Sequence, residues 1–102
     1  MRTIEEDVCK AIVKGENFSK QNTVVNTNYE KTKVYLHGNL IFELDRTTNE
    51  FKWDDCGWPT KTTQSRLNAC LEAHRRLGYR KHLYSYTYAG GAGKLVELTK
   101  II

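Results

Sequence analysis

Cysteine and histidine are the residue types in this chain that could bind a metal ion. Cys70 and His74 are four residues apart, which would place both on one face of a helix. Cys56 lies upstream, beside two aspartates. Zinc is conceivable here, but structural zinc sites use paired, closely spaced ligands, and no second pair follows. Cys70 and His74 also fall within an apolar stripe, so packing in a core is favoured and we expect no metal or other cofactor.

A cysteine hydrolase is the second chemistry to consider. It would need a thiolate near a base, with a third group to orient that base. The combination that the sequence offers is Cys56, near a predicted turn, with His37 or His82. No catalytic signature surrounds these residues, so we expect a protein that is not an enzyme.

A glycine-rich run at residues 89–94 approaches a phosphate-binding loop. That motif requires G-x-x-x-x-G-K-[ST], and Tyr88 and Leu95 occupy its two ends here. We interpret the run as a hairpin loop, which could still contact a partner from the edge of a sheet.

Basic and aromatic side chains around the second half of the chain could bind DNA or RNA. Cations would contact phosphates, and rings would stack on bases. A solvated helix face with cations at its C-terminus is slightly favoured over this, while the aromatic face at residues 82–88 is either core or contact surface. The candidate contact residues are Lys61, Arg66, Arg75, Arg76, Arg80, Lys81, His82, Tyr84, Tyr86 and Tyr88.

Length and composition favour one small soluble domain. The chain has 102 residues, a net charge of +4 and a pI of about 9.0, which permits a nucleic-acid or acidic partner without requiring one. Three cysteines without a CxxC pair indicate free thiols in a reducing compartment. No signal segment or membrane span is recognisable, so we expect a cytosolic protein with no membrane partner.

Hydrophobic periodicity predicts an α+β fold. One domain over residues 1–102 would contain a twisted antiparallel sheet of about five to six strands, with helices on one face. A short amphipathic helix at about 4–14 would close at Gly15, and a long helix at about 61–77 would stop at Gly78. The predicted strands lie at about 23–27, 32–37, 40–45, 50–53, 79–88 and 94–102.

The predicted strands between residues 23 and 53 would form an antiparallel meander. A loop at residues 16–22 would precede it, and a tight turn at Gly38-Asn39 would join two of its strands. A leading glycine there suits a type II′ hairpin. In the strand that follows, alternation predicts that Leu40 and Phe42 share one face and that Ile41 lies on the other.

The segment from Cys56 to Ala69 joins the meander to the long helix. Gly57 permits a bend, and Thr60 or Thr62 could cap the helix. We predict a structural clasp in which Trp58 fills the core and Asn68, with Arg66, bonds back to the turn. The residues of this predicted clasp are Gly57, Trp58, Thr60 and Asn68.

Residues 33–69 carry a resemblance to a known family. They contain Val34-Tyr35-Leu36-His37-Gly38-Asn39-Leu40-Ile41, then Cys56-Gly57-Trp58, then Thr60-Lys61-Thr62-Thr63-Gln64-Ser65-Arg66-Leu67-Asn68-Ala69. This middle half of the chain resembles a widespread set of small tailed-phage proteins with the pattern YLHGN-L-I … GW-T-TT-SRLNA. The family has no assigned activity, so the resemblance implies a viral accessory protein. Together with the expected cytosolic location, this predicts a protein of the host cytoplasm.

A shorter stretch is similar to the C-terminal end of a small Cas9-inhibiting anti-CRISPR family. Gly57-Trp58 and Leu67-Asn68-Ala69-Cys70 carry that likeness, and no binding residue is transferred on it. We therefore expect a non-enzymatic phage accessory protein that binds a host protein and inhibits a defence system or a nucleic-acid enzyme. The alternative is a small basic nucleic-acid-binding protein. The sequence leaves the partner, the binding surface and the oligomeric state open.

Overall fold

Two helices and seven strands are formed by the residues that the computed structural model describes, 3–77, 83–89 and 92–98. The predicted α+β class is confirmed. In chain order the elements are α1 (Thr3–Lys14), β1 (Phe18–Lys20), β2 (Thr23–Thr27), β3 (Lys31–Leu36), β4 (Asn39–Asp45), β5 (Phe51–Trp53), α2 (Lys61–Arg76), β6 (Leu83–Ala89) and β7 (Ala92–Leu98).

The strands form two sheets rather than the single sheet that alternation predicted. Strands β1 to β5 pair in chain order as an antiparallel meander, and β6 pairs with β7 alone. The prediction of a loop at residues 16–22 was wrong, because Phe18–Lys20 pairs with β2 as an edge strand in spite of its polar side chains. A strand on the edge of a sheet needs little apolar surface, so periodicity does not reveal it.

Helix α1 ends where the sequence predicted. Gly15 has a φ of 72°, its N–H donates to the carbonyl of Ile12, and the N–H of Glu16 donates to that of Ala11. This pair of bonds is the Schellman arrangement that glycine permits at the end of a helix. The buried stripe of α1 includes Val8 and Ile12, and it packs against α2 and the inner face of the meander.

A two-residue turn and a bulge correct the predicted pattern of β4. The turn consists of His37 and Gly38, both at positive φ, which is a type I′ geometry, so Asn39 already belongs to the strand. A shift in register then pairs Val34 with Phe42, and Tyr35 with Leu40. The residue between, Ile41, turns into the core and leaves Leu40 38% exposed, because a bulge reverses the alternation.

The core lies between the helices and the inner face of the meander. Leu67, Cys70 and Leu71 of α2 are buried there, as the helical period predicted, together with Phe42 and Leu44 of β4. Strand β6 contributes a fully buried Tyr86, whose ring makes an edge contact with Trp53 at a centroid distance of 5.6 Å. The second sheet is thereby attached to the end of the meander and to α2.

Candidate functional site

Trp58 is 70% exposed, so the prediction that it fills the core was wrong. Its side chain lines a pocket of about 300 Å³. This volume is at the lower end of the range for ligand pockets, and it suits one large side chain or a small molecule. We define the Trp58 pocket by its described lining residues, which are Leu36, His37, Asn39, Ile41, Asp55, Cys56, Trp58 and Thr63.

Three parts of the chain position these residues. The β3–β4 hairpin supplies the buried Leu36 and Ile41, with the exposed His37 and Asn39 at its turn. The loop between β5 and α2 supplies Asp55, Cys56 and Trp58, and α2 supplies Thr63. All three segments that carried the resemblance to phage proteins, the hairpin, the Cys56-Gly57-Trp58 turn and the start of α2, therefore meet at one pocket.

The loop holds its shape through two consecutive aspartate turns. Oδ1 of Asp54 accepts a 2.7 Å hydrogen bond from the N–H of Cys56, and Oδ1 of Asp55 accepts a 3.0 Å bond from the N–H of Gly57. The N–H of Trp58 donates to the carbonyl of Asp55 at 2.9 Å. Such side-chain bonds replace the backbone pairing that a turn lacks, so Trp58 is presented at a fixed position although it is exposed.

The start of α2 anchors the other end of the loop. Oγ1 of Thr60 accepts a 3.2 Å bond from the N–H of Thr63, which confirms the predicted N-cap. The hydroxyl of Thr63 in turn donates to the carbonyl of Trp58 at 2.8 Å. The helix cap and the tryptophan backbone therefore form one hydrogen-bonded unit.

Asn68 connects α2 to the second sheet rather than to the Gly57-Trp58 turn, which corrects the predicted clasp. Its amide nitrogen donates to the carbonyl of Tyr86 at 3.2 Å, and its Oδ1 accepts from the N–H of Tyr86 at 2.7 Å. The hydroxyl of Tyr86 donates to Oδ2 of Asp55 at 2.8 Å. The β6–β7 hairpin therefore helps to orient the carboxylate that lines the Trp58 pocket.

Cys56 and His37 both line the pocket, as the hydrolase hypothesis would require, but the surroundings of the thiol do not favour a thiolate. Partial burial raises the pKa of Cys56, and the negative charges of Asp54 and Asp55 raise it further. Its Sγ donates to the carbonyl of Leu40 at 3.5 Å. A nucleophilic cysteine needs a lowered pKa, and this environment acts in the opposite direction.

The candidate zinc residues are divided between the loop, which carries Cys56, and α2, which carries Cys70 and His74. Cys70 is buried and its pKa is raised by that burial, while Cys56 is exposed in the loop. Nε2 of His74 lies 2.9 Å from the carbonyl oxygen of Asn49, and its ring packs edge-on against Phe51. Among residues 3–77, 83–89 and 92–98, no three potential ligands are grouped around a possible metal position.

Several of the candidate nucleic-acid contacts are engaged in the fold. Arg66 is only 5% exposed, and its Nε donates to the hydroxyl of Thr23 at 2.9 Å. Arg76 forms ion pairs with Glu6 of α1 and with Glu72 of its own helix. These contacts hold Arg66 and Arg76 within the fold, although the sequence suggested both for phosphate binding.

The remaining candidates lie in different environments. Lys61 is exposed at the start of α2, and Arg75 is paired with Glu72. Tyr86 is buried, which places that member of the predicted aromatic face in the core. Predicted contacts whose positions or side chains lie outside the described part of the structure are Arg80, Lys81, His82, Tyr84 and Tyr88.

Sequence reasoning missed the pocket because its walls are assembled by long-range contacts. Asp55 was noted only as a neighbour of Cys56, and Asn39 only as a turn residue. The consecutive aspartates before Cys56-Gly57 were the available signal, because Asp favours turns that bond the backbone two residues on. Ile41 gave no signal, since a bulge is not visible in alternation.

A family model described as Kyanoviridae Gp96 protein matches residues 1–90. The chain belongs to this family of phage proteins. The match extends beyond residues 33–69 and takes in α1, so the expectation of a phage protein is confirmed over most of the chain. No curated protein and no solved structure matches the chain. Neither helix in the described residues is long and apolar enough to cross a membrane.

Proposed function

We propose that this phage protein is a non-enzymatic binding protein that captures a host protein in the host cytoplasm and inhibits it. The observation that carries the proposal is Trp58, which is 70% exposed on the wall of a pocket of about 300 Å³. Tryptophan is one of the residue types enriched among those that dominate the energy of protein interfaces. A soluble protein that leaves such a side chain in water gains nothing for its own folding.

The rigidity of the loop supports the same function. Asp54, Asp55 and Thr63 all bond the backbone around Trp58, so the loop that carries the tryptophan is held in shape before a partner arrives. Pre-organised contact residues lose little conformational entropy on binding, and more of their contact energy is kept as affinity. Leu40, which the bulge leaves 38% exposed next to this loop, adds apolar contact area.

An enzymatic function is less well supported. The hydrolase hypothesis depends on Cys56 as a thiolate, and the environment of this residue raises its pKa. The pocket is instead suited to holding a group by shape and polarity. Its inner wall is apolar, at Leu36 and Ile41, and its rim carries a few polar groups.

Nucleic-acid binding remains the alternative and is the weaker of the two. Of the cations suggested for phosphate contact, Arg66 is buried, and Arg75 and Arg76 are paired with glutamates. Buried Tyr86 is not accessible for stacking on a base. A salt titration with single- and double-stranded DNA tests this alternative, since phosphate contacts would make affinity fall steeply with salt.

A host nucleic-acid enzyme is the class of partner to be sought first. The likeness of Gly57-Trp58 and Leu67–Cys70 to Cas9 inhibitors motivates that choice, and a defence nuclease would be one example. Inhibition would follow if the bound phage protein covered the enzyme's substrate channel. The activity of any captured enzyme, measured with and without the phage protein, decides this point.

Affinity capture from host lysate tests the proposal, with nuclease treatment to remove bridging nucleic acid. The protein is compared with Trp58→Ala and with Tyr29→Ala, a matched control at an aromatic residue that is 90% exposed elsewhere. We expect one host protein to be retained by the unchanged protein and by Tyr29→Ala, and to be lost from Trp58→Ala. Capture that survives Trp58→Ala, or that disappears with nuclease, would contradict the proposal.

A further inference from the structure

We infer that the Trp58 pocket binds an arginine side chain of the captured host protein. The inference rests on the proposed function and names the chemical group that fills the pocket. It is carried by three features of the wall: an aromatic ring, an apolar base, and one carboxylate. The aromatic ring is that of Trp58, the apolar base includes Ile41, and the carboxylate is that of Asp55.

Charge complementarity identifies a cation as the occupant. Asp55 is the charged residue among the described residues of the wall, and no lysine or arginine is among them. The carboxylate of Asp55 accepts bonds from the N–H of Gly57 and the hydroxyl of Tyr86, one on each oxygen. Oδ2 lies beside Gly93 as well as the Tyr86 hydroxyl, so Oδ1, which can accept a second bond, is the acceptor for a ligand.

The electrostatic environment of the neighbouring thiol supports this assignment. Burial is the main cause that raises the pKa of Cys56 and would disfavour a charge of either sign, but the charges of Asp54 and Asp55 raise this pKa further, so the field at the thiol is negative. Although the whole chain carries a net charge of +4, the pocket is thus locally acidic. A cationic group would be attracted here, and a phosphate or a carboxylate would be repelled.

Arginine fits better than lysine for geometric reasons. Its planar guanidinium can stack on an indole ring while one of its N–H groups donates a hydrogen bond to a carboxylate oxygen. Its three methylene groups would lie against Leu36 and Ile41, which form the apolar part of the wall. Asn39 also lines the pocket, and its side-chain oxygen is a further potential acceptor for the remaining N–H groups.

Titration with N-acetyl-arginine amide tests the chemistry of the pocket, and N-acetyl-citrulline amide is the neutral control of nearly the same shape. Nuclear magnetic resonance of the two indole N–H groups gives the readout, since Trp58 lines the pocket and Trp53 packs on Tyr86. We expect a saturable shift of the Trp58 signal with arginine and little with citrulline. Equal shifts with both compounds would overturn the inference.

Two variants separate the charge of Asp55 from its structural contact. Asp55→Asn removes the charge, whereas Tyr86→Phe removes the hydrogen bond to the same carboxylate and keeps the charge. We expect Asp55→Asn to weaken arginine binding about tenfold or more, as for loss of a bond to a charged group, and Tyr86→Phe to weaken it much less. An equal loss in both variants would mean that pocket shape, not charge, determines binding.

The same variants distinguish failure of this inference from failure of the proposed function. In one outcome, Trp58→Ala loses capture, Asp55→Asn keeps it, and the arginine compound does not compete with the host protein. The proposed function would then stand, and the arginine assignment would be wrong. Capture unaffected by Trp58→Ala would overturn the proposed function itself. A shift of the Trp58 signal that depends on protein concentration alone would assign the pocket to a second copy of the chain. A shift produced by a short oligonucleotide would assign it to a base, and either result would overturn the inference.

Discussion

The hydroxyl of Tyr86 donates a 2.8 Å hydrogen bond to Oδ2 of Asp55, and this contact joins the second sheet to the wall of the Trp58 pocket. The backbone of Tyr86 is held at the same time by the side chain of Asn68. Helix α2, the β6–β7 hairpin and the pocket loop are therefore mechanically connected. A substitution in the hairpin should therefore also affect the wall of the pocket.

Gly93→Ala should destabilise the protein. A Cβ atom at this position would overlap the hydroxyl of Tyr86 and the carboxylate of Asp55, and Tyr86 is buried with no room to move aside. We expect the free energy of unfolding in urea to fall by about 1–3 kcal/mol, as for other overpacked sites. Lys94→Ala, at an exposed neighbour on the same strand, is the control and should leave it nearly unchanged.

A double-mutant cycle makes this prediction sharper. In a Tyr86→Phe background, one of the overlapping atoms is absent, so Gly93→Ala should be less destabilising than in the unchanged protein. Equal destabilisation in the two backgrounds would mean that the Tyr86 hydroxyl does not contribute to the overlap.

The ion pair between Glu6 and Arg76 should make stability depend on pH. Nη1 and Nη2 of Arg76 donate to the two carboxylate oxygens of Glu6 at 2.8 and 3.3 Å, and this bond lowers the pKa of Glu6 below its ordinary value of 4.5. The unfolded chain therefore takes up the proton first as pH falls. The stabilisation is fully present above pH 4.5 and is lost as pH decreases through the folded-state pKa.

Glu6→Gln checks this dependence. The unchanged protein should be more stable than the variant near neutral pH, and the difference should shrink as the solution becomes more acidic than pH 4.5. Arg76→Gln removes the other partner and should show the same trend in urea unfolding. A difference that is constant with pH would show that the pair does not form.

Helix ends and helix faces were predicted from the sequence because local chemistry determines them. Gly15 closes α1 and Thr60 caps α2, since each acts on backbone groups within a few residues. Strands β2 to β5 of the meander followed from alternation and turn signals for the same reason. What was wrong, the loop assigned at Phe18–Lys20 and the single sheet, depends on pairing between distant strands.

The candidate site was harder to predict because residue type is a poor guide to exposure there. Tryptophan usually belongs to a core, yet two aspartate turns hold Trp58 in solvent. Arg66 presents the opposite case, a cation expected at the surface that is buried against Thr23. Both outcomes depend on hydrogen bonds that alternation and composition do not encode.

The three thiols should differ in reactivity in a way that tests the absence of an activated cysteine. Burial raises the pKa of Cys9 to about 11 and also raises that of Cys70, so neither should react in the folded protein. Cys56 is exposed and should be the thiol that iodoacetamide modifies, but more slowly than cysteine in an unstructured peptide. Mass spectrometry over time gives the site and the rate.

The charge beside Cys56 provides a control for this measurement. Asp54→Asn should increase the rate of alkylation, because one of the two carboxylates that raise the pKa of Cys56 would be neutral. A rate for the unchanged protein above that of the peptide would instead indicate an activated thiolate. That result would reopen the hydrolase hypothesis.

Trp58→Ala should separate binding from stability. An exposed side chain contributes little to folding, so the free energy of unfolding should change by no more than about 0.5 kcal/mol. Chemical denaturation of Trp58→Ala and Tyr29→Ala side by side checks this. A large loss of stability in Trp58→Ala would mean that its ring packs against the fold in solution.

The dissociation constant of the captured host protein for Trp58→Ala, relative to the unchanged protein, is the most direct test of the central claim. Calorimetric titration of purified components, with Tyr29→Ala as the control, gives this ratio without interference from other host molecules. We predict that affinity falls about 30-fold or more in Trp58→Ala, as for the loss of a dominant contact, and stays unchanged in Tyr29→Ala. Equal affinity of all three proteins would contradict the assignment of the Trp58 pocket as the binding site.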